Sequence, residues 1–467
     1  MVDKEGNQTP ERLTKGVKTL LGDPKKAILK LATPMVIAMV VQTMYNLVDA
    51  LWVSGLGADA LAAVGFVYPF FFVAMALATG LGIGGGSAVS RKIGAKDKKG
   101  VDNVAVHTYI MTLLITMVLS FVMIVFAENI FSMMGASSII DEAVAYNRII
   151  FAGSIFLFFS NVSNAILRAE GDAKRVMYAI TFGSILNIIL DPIFIYVLKL
   201  GVAGAAWATV ISLCVTSIIL FNWLFLKRDT YVSLRFSDFK LDKDIVKDIF
   251  KVGLPSSIQQ LSMAITMLIV NIVIVKLLLA GTDGVAVYQT GWRIVSIGIM
   301  PLLGMATAVV SVTGATFGAR EFKKMDAAFT YAVKIGFIVE IFIALATFVL
   351  ATFIAASFTT AESSKRIFDD LQMFLRIICL FYPGAALGIV SSAMFQGVGK
   401  GLNSLIATLI RTVILTVLFV IVFSMIFSMN LVGVWWGIVL ANLIGSVIAF
   451  IWAKNLIRNL LKGQSTL

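Results

Sequence analysis

The chain has 467 residues, of which 59% are hydrophobic and only 14% charged, with a mean hydropathy of +0.95. A soluble domain carries about a quarter charged residues, so a soluble enzyme and a disordered or fibrous chain are both excluded, leaving an integral membrane protein. The net charge of +12 comes with no basic domain and no interleaved aromatic motif, so no nucleic-acid partner is expected.

The first 26 residues carry Asp3, Glu5, Arg12, Lys15 and Lys18 around no apolar core, which reads as a cytoplasmic segment and not as a cleaved signal. Twelve apolar stretches follow, each long enough to cross a bilayer, about 20 residues. They lie near 27–53, 60–88, 103–126, 144–167, 175–198 and 203–226, then near 249–275, 285–313, 327–356, 367–394, 403–426 and 433–453. With the N-terminus inside, 28 of the 38 Lys and Arg fall on inner segments and 4 on outer loops. That asymmetry puts both termini in the cytoplasm and accounts for most of the net charge.

The chain matches itself at an offset near 224. Gly57, Asp59 and Ala62 align with Gly281, Asp283 and Ala286, Gly80 with Gly304, and the tract Gly94 to Asp97 with Gly318 to Glu321. Pro34 matches Pro255, and GAAWA from Gly204 matches GVWWG from Gly433. An even number of spans per half makes both halves enter the membrane in the same direction. The expected fold is therefore all-α: twelve transmembrane helices in two six-helix lobes, related by a pseudo-two-fold axis along the membrane normal, with the substrate path between them. The expected division is a 1–26 cytoplasmic segment, a 27–226 N-lobe, a 227–248 cytoplasmic linker, a 249–453 C-lobe and a 454–467 cytoplasmic tail.

Ionisable groups inside spans are costly and point to function. Asp49 lies about 22 residues into the first span and Asp191 about 16 into the fifth, so at about 1.5 Å per residue both fall in the outer half. Thr209 reaches a similar depth in the sixth span. Tyr45 and Asp49 stand at i, i+4 on one helical face, with Gln42 a turn before, and Asn187 and Asp191 repeat the spacing. Adjacent carboxyls in a poorly solvated cavity make a proton site; the bland alternative is a pair of wet helix ends. Pro192 and Pro34 each remove a helical hydrogen bond and are expected to kink their helices, unless Pro34 merely stands near a helix start.

The second half has no counterpart to Asp49. It holds Arg293, Lys334, Glu340, Arg376 and Arg411. Glu340 is expected to pair with a nearby base, a second coupling site being the alternative, and the basic residues to snorkel or line a wet cavity. Gly80 to Gly86 (GLGIGGG) lies within a span and is expected to let helices pack closely. His107 is expected at the interface, where no nucleophile–His–acid set assembles around it. With Cys214 and Cys379 far apart, neither a disulfide framework nor a structural zinc site is expected.

On these residues the chain resembles the multidrug and toxic compound extrusion (MATE) family, on its prokaryotic DinF-like branch. The resemblance spans about 27–455. It rests on the duplicated plan, the Pro34, Gln42, Tyr45, Asp49 stripe, the turn LRAEGD at 167–172, the run from Asn187 to Pro192, and GAAWAT ending at Thr209. It implies export of cationic or amphipathic compounds by alternating-access antiport against protons, or sodium at the Asp49/Asp191 cluster, with no other cofactor or metal. In that family's pattern Asp49 and Asp191 are the acidic positions and Tyr45, Asn187 and Thr209 their hydrogen-bonding neighbours. Gln42, Asn161 and Asn164 are substrate-cavity positions. Spans seven and eight carry Gln259, Gln260 and Arg293 but no buried acid, which argues against the second-lobe sodium site of other branches. The partners implied are small-molecule substrates and the lipids of the plasma membrane, and a monomer suffices because one chain supplies both lobes. A lipid or lipid-linked sugar flippase of the same plan is the alternative; an intramembrane enzyme is a third.

Overall fold

The computed structural model describes residues 13–135, 139–227, 229–234, 239–278, 281–360 and 362–464. Parts of the expected terminal segments and linker (1–12, 228, 235–238 and 465–467) lie outside the described residues. Among the described residues every regular element is helical. The first lobe holds α1 (Pro24–Ser54), α2 (Ala58–Gly94), α3 (Lys98–Val125), α4 in two pieces (Ile140–Ala152 and Ser154–Ala169), α5 (Ala173–Val197) and α6 (Gly201–Leu226). The second holds α7 (Lys243–Lys276), α8 in two pieces (Gly281–Gly298 and Met300–Gly318) and α9 (Phe322–Phe358). It ends with α10 in two pieces (Ser364–Ile378 and Phe381–Gly397), α11 (Gly401–Ile426) and α12 (Asn430–Gly463). Among the described residues ten helices are long and apolar enough to cross a membrane, and the pairs forming α4 and α10, bent by 44° and 51°, bring the number to twelve if each is one span.

Local chemistry sets the ends. Pro24 opens α1 behind an Asp23 cap that accepts from the Lys26 N–H at 2.8 Å, a first-turn position where proline's missing donor costs nothing. Pro34 lies inside α1 and is buried; the helix runs through it unbroken, so it is not a helix start. Beyond Pro192 the helix continues as a wider π turn, Ile193–Val197, and the same widening closes α6 and α11 at Asn222–Leu226 and Val422–Ile426. At the other end of the chain, α12 continues well past 453, its Lys454 bonded to Asp326 of α9 at 2.6 Å.

The duplication is visible atom by atom. A Cβ placed on Gly94 would run into the carbonyl oxygen of Ala315, and one on Gly318 into that of Arg91; both pairs of partners are 224 apart. Gly80 approaches the Ser257 nitrogen and Gly304 the Val36 nitrogen, Gly204 the Phe194 carbonyl and Gly433 that of Phe423. Left-handed residues recur in register too: Lys96 with φ 56° and Arg320 with φ 57°, Lys199 with φ 55° and Ser428 with φ 54°. A left-handed non-glycine residue costs about 1 kcal/mol, and here each one turns the chain between successive helices. After α2 the Lys96 and Asp97 amides bond back to Ile93 and Lys92; after α8 those of Arg320 and Glu321 bond back to Phe317 and Thr316.

The lobes press together at the Lys- and Arg-rich end. There α2 packs on α7, through Gly80 and Gly84, and on α8, through Gly94. The small residues of GLGIGGG do what packing requires: Gly84 faces the Ile249 backbone and Gly82 faces Ala165. His107, expected at the interface, is fully buried. The linker folds onto α3 and covers it: His107 Nε2 accepts from the Asp242 N–H at 2.9 Å, which leaves Nδ1–H to donate to the Asn103 carbonyl at 2.8 Å. Phe239 packs on its ring at 4.8 Å.

Candidate functional site

Three helices of the first lobe bring their expected polar side chains to one place. From α1 come Tyr45 and Asp49, from α5 Asn187 and Asp191, from α6 Thr209. The i, i+4 spacings point each pair inward as expected, and crossing of the helices does the rest. Asp191 is fully buried, Asn187 is 2% exposed and Asp49 is half-buried. The carboxyls of Asp49 and Asp191 face each other.

The neighbours fix this pair. Asn187 donates its amide nitrogen to Asp191 Oδ2 at 2.9 Å and accepts from the Thr209 N–H at 3.2 Å, the amide orientation being the one that satisfies both ends. The Tyr45 hydroxyl faces the Thr209 side chain. Asp191 Oδ1, buried, has no partner, so one acceptor of the cluster is free for a proton or cation. A phenol that sequence reasoning passed over, Tyr146 of α4, also faces both acids. Being neutral, it is invisible to a search for charges in spans, and only the bend of α4 brings it in. Outside the cluster, Tyr196 in the π turn beyond Pro192 donates its hydroxyl to the Trp52 carbonyl at 2.6 Å, tying the outer end of α5 to α1.

Three other expected positions lie apart from these bonds. Gln42 is exposed on α1. Asn161 donates to the Leu157 carbonyl of its own helix at 2.9 Å. Asn164 is buried with Oδ1 unpartnered.

A cavity lies elsewhere, between the lobes. It encloses about 380 Å³ and is lined from α1, α2 and α4 on one side and α7, α8, α10 and α11 on the other. Its walls are mostly apolar, with Met39, Met263 and Leu303, and its polar groups include Gln259, Gln260, Gln396, Thr408, Arg168 and Arg411, with no carboxylate among the lining residues. Gln259 ties them together: its Nε2 donates to Thr408 Oγ1 at 2.6 Å while its Oε1 accepts from Gln396 Nε2 at 3.1 Å. Arg411, 5% exposed, donates to Asn442 Oδ1 at 3.1 Å.

The remaining second-lobe charges divide. Arg293, Lys334 and Arg376 are exposed. Glu340 is fully buried and, against the expectation of a basic partner, both its oxygens lack any hydrogen-bond partner; Lys334, nearly two turns away on the same helix, points outward instead. Among the described residues no group of three or more His, Cys, Asp or Glu is placed to hold a metal ion.

A family model, MatE, matches residues 34–193 and 255–422, the same stretch of each lobe. The probable multidrug resistance protein YoeA of Bacillus subtilis (strain 168) is 25% identical over 92% of this chain and 94% of its own. An outward-facing multidrug resistance MATE family transporter of the MOP superfamily is 47% identical, with a TM-score of 0.92 over 96% of this chain and 99% of that one. A MOP superfamily transporter from Pyrococcus furiosus Vc1, for which a binding pocket of reverse polarity suggests a different function, is likewise 47% identical, with a TM-score of 0.92 over 96% and 99% of the two chains.

Proposed function

This chain belongs to the MatE family, whose members are transporters and not enzymes, and from that premise we propose that it is a multidrug efflux antiporter of the plasma membrane with both termini cytoplasmic. The observation that carries the coupling reading is the facing pair Asp49 and Asp191, with the buried Asp191 Oδ1 left without a partner. A cavity of about 380 Å³ falls in the range that takes a drug-sized molecule, about 300–1,000 Å³, and its methionines and apolar walls suit varied amphipathic compounds, cationic ones included. One chain supplies both lobes, so a monomer suffices.

The lobes are closed at the end rich in Lys and Arg, which the positive-inside rule makes cytoplasmic, so this conformation faces outward. Protons, or sodium in their place, enter the Asp49–Asp191 cluster from outside. Loading it removes negative charge and rearranges the contacts of Asn187, Tyr45 and Thr209 at the wall α1 presents to the cavity, bending α1 near Pro34, and the substrate leaves. Inward-facing, release of the ion restores the substrate site. Coupling requires that the two ligands prefer different states. A tenfold proton gradient contributes about 1.4 kcal/mol per proton and 100 mV about 2.3 kcal/mol per charge moved.

The test is ethidium and fluoroquinolone efflux from proteoliposomes under an imposed proton or sodium gradient. Wild type should respond to one gradient, and Asp49→Asn and Asp191→Asn should lose the response while still binding substrate. A second reading has one specific observation in its favour: Arg168 and Arg411 line a cavity with no carboxylate, which suits an anionic amphiphile and hence a lipid flippase. Wild type moving neither compound under either gradient, but moving an anionic lipid, would favour that reading.

A further inference from the structure

Glu340 stands at the middle of α9, the nineteenth of its 37 residues, so about 27 Å of helix lies on either side. It is fully buried and neither carboxyl oxygen has a hydrogen-bond partner. Four helices pack against α9: α8, α10, α1 and α12. From α8, the piece Met300–Gly318 carries no ionisable side chain at all. From α10 come Tyr382, which faces Glu340 and Thr347 of α9 without a hydrogen bond to either Glu340 oxygen, and the thiol of Cys379; Arg376 is exposed. The nearest basic groups of α1 and α12 meet α9 far from Glu340, near its start, where Lys25 lies over Tyr331 and Lys454 bonds Asp326. Arg411 of α11 is engaged with Asn442.

An ionised carboxylate with neither donor nor counter-charge is not tolerated at that depth. We propose that Glu340 is a second proton-binding site of the transporter, in the C-lobe, loaded in this outward-facing conformation and separate from the Asp49–Asp191 pair. The proposal rests on the transporter reading above and adds to it a second proton. Its placement supplies the means of release. One turn before Glu340, Gly336 packs on Leu302 and Met305 of α8 and Ala386 of α10. Close by on those helices, Leu303 and Ala306, one residue on, and Ile389, three residues on, face the central cavity. The same α8 carries Gly304, in contact with Val36 of α1 across the lobes. Rocking of the lobes therefore moves the wall that separates Glu340 from the cavity, and water reaching it draws off the proton.

Infrared difference spectroscopy on the full-length protein in lipid, between mildly acid and alkaline buffer, reads the group directly. Wild type should show a protonated carboxyl band lost on the alkaline side. It should persist in the Asp49→Asn, Asp191→Asn, Glu170→Gln triple variant, which also silences the buried glutamate of the α4–α5 turn, shift on labelling with ¹³C-glutamate, and vanish when Glu340→Gln is added. A band with no pH response in that background, or a responsive glutamate band still present after Glu340→Gln is added to it, would overturn the proposal. If Glu340→Gln does not fold, Glu340→Asp replaces it, and the band must then lose its ¹³C-glutamate sensitivity. In transport, at zero membrane potential and a tenfold proton gradient, the substrate ratio that wild type sustains should drop about tenfold in Glu340→Gln. Absence of any gradient-driven transport by wild type would count against the antiporter reading and leaves the infrared result to decide Glu340.

Discussion

Gly94 of α2 and Gly318 of α8 stand back to back across the lobe seam, each so close to the other helix that a Cβ would meet a carbonyl oxygen, Ala315 for the first and Arg91 for the second. They are symmetry mates, and the seam between them is where the Lys- and Arg-rich end of the lobes closes. Gly318→Ala should force the helices apart. Overpacking of this kind costs about 1–3 kcal/mol, so the closed population should fall roughly 5- to 150-fold relative to the open one. Spin labels at Lys99→Cys and Lys323→Cys, both exposed positions, would report it as a longer distance, and an unchanged distribution would refute the packing argument.

The same seam carries an asymmetric latch. Arg91 bonds Asp248 of α7 at 2.7 Å and the Gly397 carbonyl of α10 at 3.3 Å, while Ser87 donates to the Gln396 carbonyl at 2.5 Å. The mate of Arg91 is Ala315, so the other lobe has no equivalent. Asp248 is 41% exposed, and such a pair contributes about 0.5–1 kcal/mol. Asp248→Asn should therefore shift the equilibrium only a few-fold, whereas Arg91→Ala, which also removes the bonds from Arg91 to the Gly397 carbonyl and to Ser87 Oγ, should shift it more, by about 1–3 kcal/mol. Cysteine accessibility in the central cavity from the cytoplasmic side would separate the two, and equal effects would argue against the Gly397 bond.

Asn187 is the hinge of the acid cluster, since it alone bonds both Asp191 and the α6 backbone. Asn187→Ala removes a donor from a buried carboxyl, a loss of about 1–3 kcal/mol. Apparent affinity for the coupling ion should change about 5- to 150-fold with little change in substrate binding. Measurement of efflux against ion concentration on the outer side checks this; an effect confined to substrate binding would place Asn187 in the substrate site instead.

Glu170, in the turn between α4 and α5, accepts N–H bonds from Tyr231 at 2.9 Å and Val232 at 3.0 Å and so holds the linker down. Burial pushes its carboxyl from the ordinary 4.5 up to about 8, against the pull of those two bonds. A folded value above the unfolded one means that the folded chain keeps a proton that the unfolded chain releases. The resulting stability is fully present below about 4.5 and is lost as pH rises through about 8. Thermal unfolding of wild type should fall relative to Glu170→Gln between pH 5 and 9, and parallel curves would show that Glu170 does not titrate in that window.

Much of this protein was legible in its residues because a membrane imposes a strong rule. Apolar runs of fixed length mark spans, a carboxylate within one stands out, and an even repeat forces two parallel lobes. The spacings at Tyr45–Asp49 and Asn187–Asp191 placed each pair on one face, and the repeat aligned Gly94 with Gly318, without saying that they meet. What those patterns cannot contain is which faces meet. That Asp49 and Asp191 face each other, that Tyr146 joins them through the bend of α4, that Arg168 and Arg411 share a cavity with no acid, that His107 lies under the linker and that Glu340 has no base beside it all depend on helix crossings. Periodicity orients a side chain about its own helix axis; only the packing of twelve axes decides what stands opposite.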